Sequence, residues 1–205
     1  VSVADQSDPA KIDVLRASQA NVARSKTPVA LTFGHMLSKI RLNVKAGDGL
    51  TPADISGLTA AGVKVTGMPV TAELELEDGT LTAGAAGAAF SPLKTATTNG
   101  FDATFEAILI PQTGTNTGRT VVFTVGGQDY TWAIGDGVAF IDGNIHIYEI
   151  AVQKTGVAVS GGTITPWTGT GTTTPGTAEI TAIKIKAGTF LMGSSDGSAS
   201  GTGTP

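Results

Sequence analysis

The sequence predicts an all-β fold, an antiparallel β-sandwich, on three observations. Apolar and polar residues alternate with a period of two in several short runs, as in strands with one buried and one wet face. Turn signals recur about every 8 to 12 residues, the spacing of sandwiches and barrels rather than of βαβ units. Glycine reaches 28 of 205 residues while charged residues make up only 15%, a balance that favours turns and short segments over long helices.

The elements follow in order. Residues 1–27 form a lead-in with one short helix: Asp8 is an N-cap, Pro9 takes the first helical position, and Ile12, Val14 and Leu15 follow. From residue 28 the pattern becomes β. Val29, Leu31 and Phe33 alternate with Ala30 and Thr32, and Ile40, Leu42 and Val44 alternate with Arg41, Asn43 and Lys45. Gly34-His35-Met36-Leu37 interrupts the alternation, as a strand crossing between two sheets requires. Thr51–Ile55 reads as a single helical turn, followed by a strand at Val63–Val65. Thr71–Glu77 sets Leu74 and Leu76 on one side and Glu73, Glu75 and Glu77 on the other, and Asp78-Gly79 turns the chain into Leu81. Residues 83–100 are small and weakly patterned, a loop with room for one edge strand. Phe101–Ile110 is a strand ended by Pro111, and Arg119–Val125 joins Tyr130–Trp132 through Gly126-Gly127. Asn144–Gln153 closes the series with Ile145, Ile147, Ile150 and Val152 among polar neighbours.

The sandwich therefore spans residues 28–167. Residues 168–177 contain only Thr, Gly and Pro, too little apolar surface to offset ordering entropy, and read as a linker. Residues 178–205 resume a strand-like pattern through Ile180, Ile183 and Ile185 before a Gly- and Ser-rich tail.

Composition excludes several function classes. A formal net charge of −4, thinly spread, offers no footprint for a phosphate backbone, so nucleic acid is not an expected partner. Zero cysteines exclude disulfides, thiolate metal sites and a Cys nucleophile. No run approaches the roughly 18 apolar residues of a membrane helix, and Val1 opens on a polar stretch, so an export signal is expected outside this sequence. His35 and His146, far apart and without i, i+4 partners, read as structural, with His146 on the polar face of its strand. No nucleophile elbow or Ser-His-Asp order is present. Asp78, Asp136 and Asp142 each precede Gly, which is turn chemistry, and no EF-hand spacing of oxygens is present; a catalytic dyad of two acids drawn from separate loops stays open at this point. Gly84-Ala85-Ala86-Gly87 and Gly161-Gly162 lack the strand-to-helix context of a phosphate loop. Trp132 reads as core packing, and Trp167 is open between core packing and stacking on a sugar. No catalytic, cofactor-binding or metal residue is assigned, no cofactor is expected, and ligand residues are unassigned.

Leu31-Thr32-Phe33-Gly34-His35-Met36-Leu37-Ser38-Lys39-Ile40 resembles the L-x-F-x-H-x-L-S-K-I signature of the Mfa-like fimbrillin family of Bacteroidales. Further segments follow in that family's order: Ile108–Gln112 as I-L-I-P-Q, Val121–Val125 as V-x-F-T-V, Phe140–Tyr148 as F-x-x-G-x-x-x-x-Y, and Ile164–Trp167 as I-x-x-W. The resemblance covers residues 10–168. It implies the second of two transthyretin-like sandwich domains, the first preceding Val1. It also implies a non-enzymatic, exported fimbrial subunit at the cell surface or outer membrane. Its partners would be other pilin subunits joined by β-strand complementation, in which a neighbour's extended segment fills a groove of the sandwich.

A second resemblance begins past the linker. Ala187-Gly188-Thr189-Phe190-Leu191-Met192-Gly193-Ser194 is similar to the G-T-F-x-M-G-S opening of formylglycine-generating-enzyme-like domains, a branch of the C-type lectin fold. The catalytic cysteines of those enzymes have no counterpart here, so their activity is not implied. The combination resembles pilus-tip adhesins, whose C-terminal head, begun but incomplete in residues 178–205, would meet a host or bacterial surface ligand. The alternatives are a stalk fimbrillin and a surface glycan-binding β-sandwich. The latter should expose both Trp residues on one face, and an aromatic content of 5% is low for it.

Overall fold

The computed structural model describes residues 1–18, 30–114 and 117–168. Along the chain run α1 (Pro9–Ile12), β1 (Leu15–Arg16), β2 (Gly34–His35), β3 (Ser38–Ala46), α2 (Pro52–Ser56), a 3-10 turn (Ala60–Gly62), β4 (Val63–Thr66), β5 (Ala72–Leu74), β6 (Leu81–Ala83) and β7 (Leu93–Thr95). They are followed by β8 (Ala103–Leu109), β9 (Thr120–Val125), β10 (Gln128–Ala133), β11 (Asn144–Gln153) and β12 (Gly156–Pro166).

Two sheets make the body of the fold. One has the order β12-β11-β3-β8-β7, the other β10-β9-β4, and β1-β2 and β5-β6 form two-stranded ribbons. The period of two puts Ile40, Leu42 and Val44 of β3 and Phe105 and Leu109 of β8 on the inner face, where they share one core with Val63 and Val65 of β4 and Val121 and Phe123 of β9. α2 sits on the connection between β3 and β4. Thr51 and Asp54 close a reciprocal capping box, and the helix buries Ile55 in the same core. Gly126 and Gly127, at φ 59° and 80°, supply the left-handed pair that a tight β9-β10 hairpin needs.

A smaller cluster of Val3, Leu37, Ala72, Ile108 and Ile110 is joined by Ile12, Val14 and Trp167. Ile108 alternates with the core residues Ala107 and Leu109, which puts this cluster on the outer face of the larger sheet. The lead-in belongs to it. Ala72 exchanges backbone bonds with Val1, and the Val3 N–H donates to Val70 O at 2.8 Å. The buried Gln6 amide acts as a peptide surrogate beside β8: its Oε1 accepts the Ile108 N–H at 2.8 Å and its Nε2 donates to Ile108 O at 3.0 Å.

Several expectations are corrected. The sandwich is not wholly antiparallel: β11 runs parallel to β3, from Ile145 beside Lys39 to Val152 beside Ala46. Two strands that meet only after the rest of the chain has been laid down carry no hairpin to fix their direction. The first helix ends at Ile12, and Asp8 makes no side-chain cap. Leu31 and Phe33 lie outside any strand; β2 is only Gly34–His35, and the bend at Met36-Leu37 joins the β1-β2 ribbon to β3 rather than linking the two main sheets. Val29 and the start of the expected strand at residue 28 lie outside the described residues. The strand expected over Thr71–Glu77 shortens to β5, with Leu76 80% exposed beyond it. The series of strands does not close with β11: Gly156–Pro166, where Gly161-Gly162 read as loop material, is an eleven-residue strand, β12. The linker and the segment of residues 178–205 lie outside the described residues from position 169 on.

Candidate functional site

The two signature segments meet in space. β2 and β3 carry His35 and Lys39, and β12 delivers Trp167 to the same outer face. The His35 and Trp167 rings stack with centroids 3.9 Å apart and planes 2° off parallel. His35 Nδ1 lies 2.9 Å from Asp13 Oδ2, which ties the lead-in to the stack. Lys39 Nζ is 4.7 Å from the indole centroid and 3.3 Å from Glu106, and Arg41, opposite Glu106 across the β3-β8 ladder, reaches the same carboxylate at 2.6 Å. The Trp167 N–H donates to Gly143 O at 2.7 Å, and the Gly143 N–H to Leu37 O at 2.9 Å. A stack of this kind uses an indole face internally. The arrangement holds the end of the last strand to the start of the third, and it positions no nucleophile or base against an open space.

His146 is not on a polar face. It lies in register with Ile40 on the inner face and is 1% exposed, while Ile145 and Ile147 take the outer side. The alternation was legible but its phase was not, because both faces of β11 carry apolar residues. His146 Nε2 accepts the Ile141 N–H at 3.0 Å and the ring meets Phe140 edge-on at 5.1 Å. Burial pushes its pKa down, which favours the neutral ring that this acceptor role requires. Burial likewise pushes the Tyr148 phenol up.

Arg119 carries no sequence signal, since an arginine at a strand's start reads as solvated. It is fully buried and clasps the loop between β10 and β11, donating to Gly135 O and Val138 O at 2.8 Å each and to Gln112 Oε1 at 3.3 Å. Burial pushes its guanidinium pKa down, with Asp136 and Tyr148 opposing.

The aspartates sit in turns. Asp78 Oδ1 accepts the Thr80 N–H at 2.7 Å, and such backbone donation holds its carboxyl below the usual range. Gly79 and Gly143, after Asp78 and Asp142, adopt φ 83° and 62°. Asp136 and Asp142 are exposed, and no group of three or more potential metal ligands comes together among the described residues. Trp132 turns inward, half-buried against the core, with its ring 4.8 Å from Tyr148.

The sheet edges differ. The β7 edge is covered where Lys94 Nζ donates to Ser56 O and Leu58 O at 2.7 Å each, and β4 pairs beyond its sheet through a Val65–Phe90 bridge. β12 ends its sheet, and along its eleven residues it carries no charged side chain. An uncharged edge of that length lacks the protection by which edge strands avoid pairing with other chains.

Residues 1–167 match the fimbrillin-like family. A Bacteroides uniformis protein named as a candidate fimbrium subunit, Fim1C, is 31% identical over 191 residues, covering 87% of this chain and 59% of its own length. The crystal structure of a candidate cell adhesion protein from Bacteroides uniformis is 30% identical with a TM-score of 0.66, covering 82% of this chain and 65% of that one. A Bacteroides ovatus candidate cell adhesion protein shares the fold at 23% identity and a TM-score of 0.61, covering 82% of this chain and 59% of that one. The chain thus spans less than two thirds of the length of these relatives. With a match that runs from Val1 to Trp167, through the stack that joins the two signature segments, the chain belongs to the fimbrillin-like family and is a structural, non-enzymatic protein.

Proposed function

We propose that this chain is a pilin module of a cell-surface fimbria, of the tip or accessory type. Its sandwich is of the transthyretin-like kind, and residues 168–177 link it to a lectin-fold head that begins at residue 178. Its partners are other pilin subunits, joined by β-strand complementation, and a host or bacterial surface ligand met by the head. The protein is exported and held at the outer membrane. The observation that carries this reading is the family match over residues 1–167. The long, uncharged edge of β12 supports the assembly mode.

Magnitudes favour exchange over simple edge pairing. Four or five inward side chains at about 1.5–3 kcal/mol each supply roughly 6–15 kcal/mol, against about 8–16 kcal/mol to order some eight residues. A strand that replaces one already ordered avoids most of that cost and can form a joint that dissociates slowly. The glycan-module alternative loses ground because Trp132 faces the core and Trp167 faces His35, each half-buried and on different sheet faces.

The test mixes the full chain with a second subunit of the same fimbria and follows the complex through stepwise heating in sodium dodecyl sulfate. A band that survives at room temperature and separates only on heating is expected. Immediate separation counts against strand exchange.

A further inference from the structure

We infer that the Ile141-Asp142 segment is an acid-released flap, latched shut by the unprotonated Nε2 of His146 and freed when that nitrogen takes a proton.

The latch is one hydrogen bond. A backbone N–H can only donate, so the 3.0 Å contact from the Ile141 N–H requires a lone pair on His146 Nε2. The neutral ring then keeps its proton on Nδ1, and this buried donor has no partner among the described residues. A second proton on Nε2 sets two donors face to face and leaves the imidazolium without an acceptor at either nitrogen. His146 is 1% exposed and packs edge-on against Phe140 at 5.1 Å, so water cannot replace the lost partner unless a wall moves.

The surroundings do not compensate the new charge. Across the sheet His146 lies between Ile40 of β3 and Ile164 of β12, neither of them ionisable. Lys39 and Arg41 of β3 alternate to the other face, where Glu106 engages both. From the start of β9, Arg119 brings a second cation to the same Phe140 ring at 5.6 Å. Tyr148, two residues along β11, keeps its proton because burial pushes its phenol up. The loop carboxylates Asp136 and Asp142 are exposed, and His35 with Asp13 is the one histidine–carboxylate pair among the described residues.

Anchors on both sides keep the release local. Phe140 exchanges two backbone bonds of 2.9 Å with Gln112, and the Gly143 N–H donates to Leu37 O at 2.9 Å. Upstream, Arg119 holds Gly135 O and Val138 O with a charge that does not titrate in acid. Of these contacts the Ile141 bond alone depends on a group that does. Ile141 is 47% exposed and shares a groove of about 350 Å³ with His146 and with Ile164 of β12. Lifting the flap admits water to the imidazolium through that groove and changes the wall beside the β12 edge. Burial pushes the His146 pKa down, so the closed form binds the proton more weakly than the open one. Closure is therefore complete above the ordinary histidine value of about 6.5 and is lost as pH falls through the depressed one.

Amide exchange on the full chain labelled with nitrogen-15 tests this, each rate being taken relative to an unstructured amide at the same pH. Protection of the Ile141 amide should fall by up to about tenfold for each pH unit below about 6.5, while the Phe140 and Val121 amides keep theirs. The imidazole nitrogen shifts of His146 should report the neutral form with its proton on Nδ1 above that range and the imidazolium as protection is lost. His146→Gln offers a side-chain carbonyl that accepts the same N–H without titrating, and its Ile141 protection should be flat with pH. An equal fall in that variant overturns the inference. On the parent alone, so does Ile141 protection that persists while the ring shifts record protonation, or a loss shared by all three amides, which is global unfolding.

Discussion

Removing the Trp167 side chain tests whether the contact between the two signature segments is a structural joint. The indole stacks on His35 at 3.9 Å, worth about 0.5–1.5 kcal/mol, and Lys39 at 4.7 Å adds about 0.5–1 kcal/mol. Half-burial of a large aromatic hides roughly 75–125 Å², or about 2–3 kcal/mol at 25 cal/mol per Å². Trp167→Ala should therefore cost about 3–5 kcal/mol, a large part of the roughly 5–15 kcal/mol that holds a domain together. His35→Ala removes the stack and the Asp13 contact and should cost about 1–2 kcal/mol. The double variant isolates the pair. Urea titration of the full chain, followed by circular dichroism and by the fluorescence of Trp132, should show the two losses falling short of additive by about 0.5–1.5 kcal/mol. Additivity within about 0.3 kcal/mol would refute the joint and return Trp167 to the open surface as a candidate stacking platform.

Gln6→Ala should lower stability by about 2–6 kcal/mol, because both backbone polar groups of Ile108 lose a buried partner at about 1–3 kcal/mol each. Hydrogen exchange at the Ile108 amide should accelerate, and a loss below about 1 kcal/mol would show that another group takes over. His146 sets a pH dependence. Its pKa is depressed in the folded state, so as pH falls the unfolded chain binds the proton first. The stabilisation is fully present above about pH 6.5 and declines below it, by up to about 1.4 kcal/mol per pH unit. Urea midpoints of His146→Gln should be flatter than those of the parent through this window; an unchanged slope would place the buried proton elsewhere.

What the sequence made legible was local. β11 begins and ends where the alternation does, the Gly126-Gly127 pair specifies its hairpin, and Thr51-Pro52 with Asp54 specifies α2. What it hid was relational. β12 reads as turn material because Ser160, Gly161, Gly162 and Thr163 interrupt its valines, and its strand character comes from pairing with β11 on both sides of a bulge. The parallel β3-β11 pair has no local code at all. Neither does the inward phase of His146, nor the burial of Arg119, whose value lies in carbonyl groups contributed by a loop more than a dozen residues away. At the signature junction, the residues were legible one by one as a resemblance, while their contact was not, since only the closed sheet brings Trp167 to His35.

That closure determines how tension would cross the module. Val3, near the first described residue, and Trp167, near the last, pack against the same outer-face cluster. Force applied between the two ends therefore meets the Val1–Val3 ladder on residues 70–72 and the Trp167–His35 stack before it reaches the inner core of Phe105 and Phe123. Asp13, linking the lead-in to His35, couples these two contacts directly. The stack of Trp167 on His35, with Asp13 on the same imidazole, is thus the place where the lead-in and the end of β12 are fastened to each other.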